Sequence, residues 1–315
     1  MNVYGEPLDI NASAFDRRRR TGIGGSDAAA ILGVSPWASA LSVYNEKRGL
    51  GSDFRTTERM VWGQRLEDAV RQGYAEDTGR KVQRVGFRRS REYPWLIGHP
   101  DGDAGDRLLE IKVTGQTWDE VPAHYFTQVQ HYMLLMGRPL CDLAALVNGR
   151  ELRIETIEAD ADFQAAMLDD LASFWEHVRS GIPPLPDGSE SARKALRTVY
   201  PDVLDDVKEA TPQIDGLLAG YVTAKAIMRA AETDAEQAAQ LLQAYLGGVG
   251  KLVGESYDAT WSEARGSVSW KGVAQAYRTT LAHLQSSANF DAIEEAHRGE
   301  PSRRFAVKAR KEGTA

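Results

Sequence analysis

The 315-residue chain is 42% apolar, with 12 prolines and 29 glycines, which is enough for one large core or two ordinary ones and excludes a low-complexity chain. Its net charge of −7 excludes a generally basic nucleic-acid coat but allows a local basic groove, and its single cysteine, Cys141, excludes an internal disulfide or thiolate cluster and reads as core. No apolar run approaches the roughly 18 residues of a membrane span and no signal-peptide pattern opens the chain, so a cytoplasmic protein without membrane contact is expected.

Residues 1 to 15 are weakly patterned and read as a loosely docked arm. Arginines 17 to 20 then run into Thr21-Gly22-Ile23-Gly24-Gly25-Ser26-Asp27, where Ser26 or Asp27 can cap a helix through Leu32. Free N–H groups at a helix start favour an anion, and arginines add charge and bidentate geometry; a solvated charge run before an ordinary helix is the competing reading. Ser35-Pro36-Trp37 starts a second helix that closes at Gly49, and a longer helical pattern spans Glu58 to Thr78 and stops at Gly79. Glu67 lies mid-helix beside Leu66, at the edge of the apolar stripe, where it either faces inward or stays in water.

Strands are expected over Lys81–Arg88 and Trp95–Gly98. They lead into the most informative stretch, Leu96 to Thr114. There an apolar run ends in Pro100-Asp101-Gly102, a polar turn follows, and Leu109-Glu110-Ile111-Lys112-Val113 alternates with period 2. On a strand Glu110 and Lys112 share one face, and Leu109, Ile111 and Val113 share the other. If the turn closes a hairpin, Asp101 arrives beside Glu110, and two carboxylates and one amine meet. Such a set suits a hard divalent cation with an activated water.

Pro122 suits the first turn of a helix reaching about Met136, on which Gln128 and Tyr132 share a face while Gln130 is offset. Cys141–Val147 reads as a buried strand, Asn148-Gly149 as a hairpin turn and Glu151–Ile157 as the returning strand, followed by an amphipathic helix over 160–180. The proline-rich run from Gly181 to Ser189 marks a linker, placed over 183–202. This divides the chain into a catalytic domain, 1–182, and an accessory domain, 203–315. The accessory domain is expected to hold a long helix over 214–246, a hairpin pairing 257–262 with 267–271, and a helix over 273–284. A last strand is expected over 303–308, within a basic tail that includes Arg303, Arg304, Lys308, Arg310 and Lys311.

Pro100-Asp101 with Glu110-Ile111-Lys112 resembles the signature of the PD-(D/E)xK nuclease superfamily. Three further blocks stand in order around it: Arg20 with Ile23-Gly24-Gly25-Ser26-Asp27, then Gly63 with Leu66-Glu67, and, after the signature, Gln128-Val129-Gln130-His131-Tyr132-Met133. The ordered set resembles the YqaJ-type viral recombinases, relatives of phage lambda exonuclease, over roughly residues 16 to 180. Asp187-Gly188-Ser189-Glu190 looks like the longer phage and prophage members.

The resemblance implies an α/β (α+β) restriction-endonuclease-like core: a central mixed β-sheet flanked by helices, here with a C-terminal helical region and a small antiparallel sheet. It also implies a Mg²⁺-dependent deoxyribonuclease, with Mn²⁺ able to substitute. Asp101, Glu110, the carbonyl of Ile111 and Glu67 would hold the metal. Lys112 would touch the attacking water, and Gln128 and Tyr132 would position the lysine or the DNA. Arg20, or Arg19 if the spacing is one residue short, would grip a 5′-phosphate with Ser26. The implied activity is 5′→3′ resection of double-stranded DNA ends in phage or prophage recombination, with a single-strand annealing protein as partner and a homo-oligomer as the assembly. An endonuclease or nickase on the same core, and a catalytically silent DNA-binding accessory protein, are the alternatives.

Overall fold

The computed structural model describes residues 14–50, 57–262 and 269–283, with Ile293 and Glu295. The expected N-terminal arm up to residue 13, the turn at 264–266 and the basic tail with its last strand lie outside the described residues. The chain divides into two compact units, Met1–Asp202 and Val203–Ala315.

The first unit opens with α1 (Ala14–Arg19), α2 (Gly25–Ile31), α3 (Ala40–Arg48) and α4 (Glu58–Thr78). Helix α2 starts earlier than a Ser26 or Asp27 cap would allow. Its N-cap is Gly24, and Asp27 reaches back so that its Oδ2 accepts from Gly24 N–H at 2.9 Å. In α3 the Ser39 side chain caps the start and Gly49, at φ +71°, ends the helix in the left-handed conformation glycine tolerates.

Two short hairpins follow. Strand β1 (Arg88–Arg89) pairs antiparallel with β2 (Ile97–Gly98). The strand expected over Lys81–Arg88 is thus reduced to its last residue and a two-hydrogen-bond bridge of Gln83 with Asp103. Strand β3 (Gly102–Asp103) pairs antiparallel with β4 (Leu108–Thr114), Gly102 opposite Leu109. After β4 comes α5 (Ala123–Met136), then β5 (Leu140–Val147), β6 (Glu151–Glu158) and α6 (Ala161–Ser180). The sheet runs β3-β4-β5-β6, with β4 and β5 parallel and the outer pairs antiparallel, so it is mixed. A parallel neighbour needs a long crossover, and α5 supplies it.

The sheet is covered on both faces, which sets the burial pattern of β4. Leu109 and Ile111 pack against Val70 and Tyr74 of α4. Leu108, on the opposite face, packs with Val129, Tyr132 and Met133 of α5. A third cluster joins Ile23, Leu41, Tyr44, Leu96, Leu171 and Phe174 with Ala192 and Ala195. Those alanines belong to α7 (Glu190–Val199). The stretch expected as a linker, 183–202, therefore contains a helix seated on α3, where Asn45 Nδ2 donates to Ala195 O at 3.1 Å. Residues 183–189 before the helix and 200–202 after it run as irregular chain.

The second unit holds α8 (Pro212–Leu246), the strand pair β7 (Lys251–Val253) and β8 (Asp258–Thr260), and α9 (Trp270–His283). The small sheet is present, and in it the strand after Tyr257 pairs with Lys251–Val253; the turn expected to join 257–262 to 267–271 lies outside the described residues. A Gly254 to Tyr257 turn, closed by Gly254 N–H to Tyr257 O at 3.1 Å, joins the two strands. Among the described residues no helix is long and apolar enough to cross a membrane.

Candidate active site

Strand β4 positions the centre of the site. Its period-2 alternation puts Leu109 and Ile111 into the α4 layer and aims Glu110 and Lys112 at α5. The β3–β4 register carries Asp101 to the level of Glu110, and Asp101 Oδ2 accepts from Ile111 N–H at 2.8 Å. Lys112 Nζ donates to Glu110 Oε1 at 2.6 Å and to Gln128 Oε1 at 2.9 Å. Gln128 Nε2 closes the triangle on Glu110 Oε1 at 2.7 Å and faces Tyr132 Oη at 3.3 Å. Asp101, Glu110, Lys112, Gln128 and Tyr132 are therefore brought together as the sequence anticipates.

Two further residues shape this group. Tyr125 places its ring 5.2 Å from Lys112 Nζ, within cation–π range. Arg71 lies between Glu67 and Asp101, the residue just before β3. It pairs with the Glu67 carboxylate and donates through Nη2 to Asp101 O at 3.3 Å. Glu67 thus approaches from the α4 side but is held by Arg71. Among the described residues no three His, Cys, Asp or Glu side chains converge closely enough to ligate one ion.

The electrostatics follow from burial. Desolvation and then the neighbouring Glu110 carboxylate push the Asp101 carboxyl well above the usual range, with Glu67 adding a smaller push in the same direction. Burial alone would favour a neutral Lys112, but Glu110 and Asp101 outweigh it and raise its pKa, so the side chain stays an ammonium. Glu110 is 2% exposed, and its Oε2 is buried without a hydrogen-bond partner. A buried carboxylate oxygen left unpaired is costly unless something else takes it. The donor set is hard oxygen throughout, which fits a Mg²⁺-like ion and not a thiolate-loving one.

The arginine–glycine segment reaches the same place through close packing. A Cβ on Gly25 would sit 2.8 Å from Gln128 Cγ and 2.9 Å from the Tyr132 ring. A Cβ on Gly98 would sit 2.6 Å from Leu135 and 2.9 Å from the same ring. Tyr132 therefore stands between two glycines, and α2 abuts the site. Ser26 is exposed at the start of α2, and the Arg20 guanidinium lies beside Gly49. Arg19 has an unanticipated role. Its Nη2 donates to Asp27 Oδ1 at 2.9 Å and its Nε to Glu46 Oε1 at 2.9 Å. Lys47, with a fully buried side chain, donates to Asp27 Oδ2 at 2.7 Å and to Arg19 O at 2.9 Å.

Sequence reasoning missed this Arg19–Asp27–Lys47–Glu46 anchor. Asp27 reads as a helix cap, and nothing local announces that α3 brings Lys47 to it. The sequence also left Gln130 and His131 unresolved. Gln130 is buried on the far side of α5, bonded to the backbone at Glu158 and Asp160. His131 is buried too, with Nε2 donating to Ile97 O at 2.8 Å. His99 is exposed, and Trp37 and Trp62 are 60% and 55% exposed.

The segment that carries this geometry is similar to known proteins. Residues 14–139 match the model of the YqaJ-like viral recombinase domain. Uncharacterized protein YqaJ of Bacillus subtilis (strain 168) is 31% identical over 195 residues, 58% of this chain and 61% of that protein, so the chain spans about three fifths of that relative's length. Among solved structures, an alkaline exonuclease (LHK-Exo) from Laribacter hongkongensis overlays with a TM-score of 0.46 at 22% identity, covering 52% of this chain and 91% of that one. A phage related exonuclease from Haemophilus somnus 129PT overlays with a TM-score of 0.44 at 14% identity, covering 54% and 98%. The matched segment includes the arginine–glycine turn, Glu67, the Asp101–Lys112 hairpin and Gln128–Tyr132. Over residues 14–139 the chain is similar to the YqaJ-like viral recombinase domain.

Proposed function

We propose that the first unit is a metal-dependent DNA nuclease of recombination that digests double-stranded ends in the 5′→3′ direction. The observation that carries this reading is the meeting of Asp101, Glu110, Lys112 and Gln128 with one Glu110 oxygen buried and unpaired. Asp101, Glu110 and the carbonyl of Ile111 are the residues that would hold Mg²⁺ or Mn²⁺, with Glu67 joining directly or through water once released from Arg71. Bound there, the ion would lower the pKa of a water and offset charge on the departing oxygen.

The chain's own groups account for the rest. Lys112, kept protonated, holds the attacking water by hydrogen bonding and offsets phosphate charge. Gln128 fixes both Lys112 and Glu110, so a rotation of either side chain costs two hydrogen bonds. Tyr132, between Gly25 and Gly98, fixes Gln128. Arg20 and Ser26 are assigned to the 5′-phosphate of the held strand, with Arg19 as the alternative. The single strands left by such digestion are the substrate an annealing protein consumes, and phage or prophage recombination is the setting.

A second reading, internal cleavage, draws on one observation: Arg19 is already engaged by Asp27 and Glu46. The experiment compares 5′-phosphorylated linear duplex, unphosphorylated duplex and closed circular DNA, each with Mg²⁺. Faster loss of the phosphorylated duplex with intact circles supports the exonuclease. Cut circles select the endonuclease, and no cleavage of any substrate overturns both.

A further inference from the structure

Helix α8 runs 35 residues, about 52 Å at 1.5 Å per residue. Within its own unit it is nearly bare: among the described residues, Leu246 is the only residue of α8 that is buried. Leu217 is 66% exposed and Tyr245 79%. These apolar side chains follow a rule. With Ile214 at position a of a heptad, every a and d position as far as Tyr245 is apolar, through steps of three and four residues. A seam of this kind, sustained over more than four heptads, is the mark of a coiled coil and is not needed by a solvated helix.

The sequence of the seam indicates the occupant. Run the helix against itself in the opposite direction, centred between Arg229 and Ala230. The facing layers become Ile214–Tyr245, Leu217–Leu242, Tyr221–Ala238, Ala224–Ala235 and Met228–Ala231. Near the centre each bulky residue meets an alanine, and bulky pairs close the two ends. A parallel pairing would instead stack Tyr221 on Tyr221 and three successive alanine layers on their own copies, alternating crowding with voids. Charge points the same way. Antiparallel packing brings flanking e positions together, so Lys225 meets Glu232 of the second copy, and the contact occurs twice by symmetry. In the parallel arrangement Lys225 faces Gly220 and Glu232 faces Ile227, with no ion pair.

We propose that α8 docks on α8 of a second copy of this chain as an antiparallel two-stranded coiled coil in this register. The inference stands apart from the catalytic reading, since it uses no residue of the first unit.

Sedimentation equilibrium of the full chain tests it, with circular dichroism and DNA cleavage as controls for folding. A dimer is expected, and Leu217→Asp with Leu242→Asp dissociates it while the first unit stays folded. Lys225→Glu alone and Glu232→Lys alone each weaken association about tenfold, because two attractive contacts become two repulsive ones. An equimolar mixture of these two variants associates like the parent, since the reversed charges then face one another. A chain that stays monomeric through the micromolar range overturns the proposal, including one whose residues 284–315 protect α8 from hydrogen exchange. So does a dimer that survives the double leucine variant. Charge variants that associate normally, or fail to recover on mixing, overturn the antiparallel register.

Discussion

Asp101 and Glu110 are two carboxyls drawn out of water beside one ammonium, and their mutual repulsion is a standing cost to the folded chain. Asp101→Asn removes that repulsion while leaving an oxygen to accept from Ile111 N–H. The variant is expected to melt at the same or a higher temperature in chelator, and to cleave DNA at least about 100-fold more slowly. Mg²⁺ raises the melting temperature of the parent and leaves the variant unmoved; thermal melts with and without the ion check both halves, and an equal Mg²⁺ response denies Asp101 a ligand role. His131 gives a different dependence. Burial pushes its pKa down to about 4, while its unfolded value is near 6.5. Its folded state thus refuses a proton that the unfolded chain accepts. Stability is whole above about pH 6.5, falls as pH drops toward 4, and falls no further below. Between pH 7 and 5 this amounts to about 2 kcal/mol. Urea midpoints at the two pH values test it: His131→Gln, which keeps a donor for Ile97 O, loses less over that interval than the parent. The two residues differ in how readily sequence reveals them. Asp101 and Glu110 were legible because strand periodicity and a turn place them by local rules. His131 was not, because a helix position off one apolar face still faces a neighbour when a third element, here the chain at Ile23 and Ile97, closes over it.

Helices α2 and α5 meet so closely that glycine is required at the contact. Gly25→Ala would put a methyl group within 2.9 Å of Gln128 and Tyr132. The chain can relieve the clash only by moving α2 or by turning Gln128 away from Glu110 and Lys112. Overpacking of this size costs about 1–3 kcal/mol, so the variant is expected to remain folded at 25 °C. Cleavage is expected to fall by more than stability does, through kcat, because the displaced side chain orients the site and does not recognise the DNA end. A variant with parental kcat would show that Gln128 has no positioning role. Sequence reading located both elements but not their contact, since a glycine's need for space depends on what arrives from about 100 positions away. The same limit explains α7. The prolines before it read correctly as irregular chain, but the helix that follows is short and charged. Only its two small residues, Ala192 and Ala195, reveal that one face lies against α3. It explains the anchor of α1 on α2 and α3 as well. Lys47 has no exposed side-chain surface, yet a lysine in a helical pattern reads as solvated until Asp27 is known to lie opposite.

At the scale of the whole chain, the two units are stabilised in different ways. The first unit has three apolar clusters, and the candidate site residues Glu110 and Lys112 stand on the strand between two of them. In the second unit, among the described residues, only Leu246 is buried. A helix draws most of its stability from the face it packs, and a hairpin of two three-residue strands is marginal in water. If α8 pairs with a second copy as proposed, its seam supplies a packed face that the described residues of the second unit lack. Heating is then expected to give two calorimetric transitions that respond to different variables. The lower one moves up as protein concentration rises, because the associated form binds a second copy and the melted form does not, and it ignores Mg²⁺. The upper one moves up with Mg²⁺ and ignores concentration if Asp101 and Glu110 hold the ion as proposed. Calorimetry at two protein concentrations, each with Mg²⁺ and with chelator, separates these effects. One transition raised by both variables would mean that the units melt as a single body. The reasoning from their separate cores would then fail, even if the catalytic site and the coiled coil were each correct.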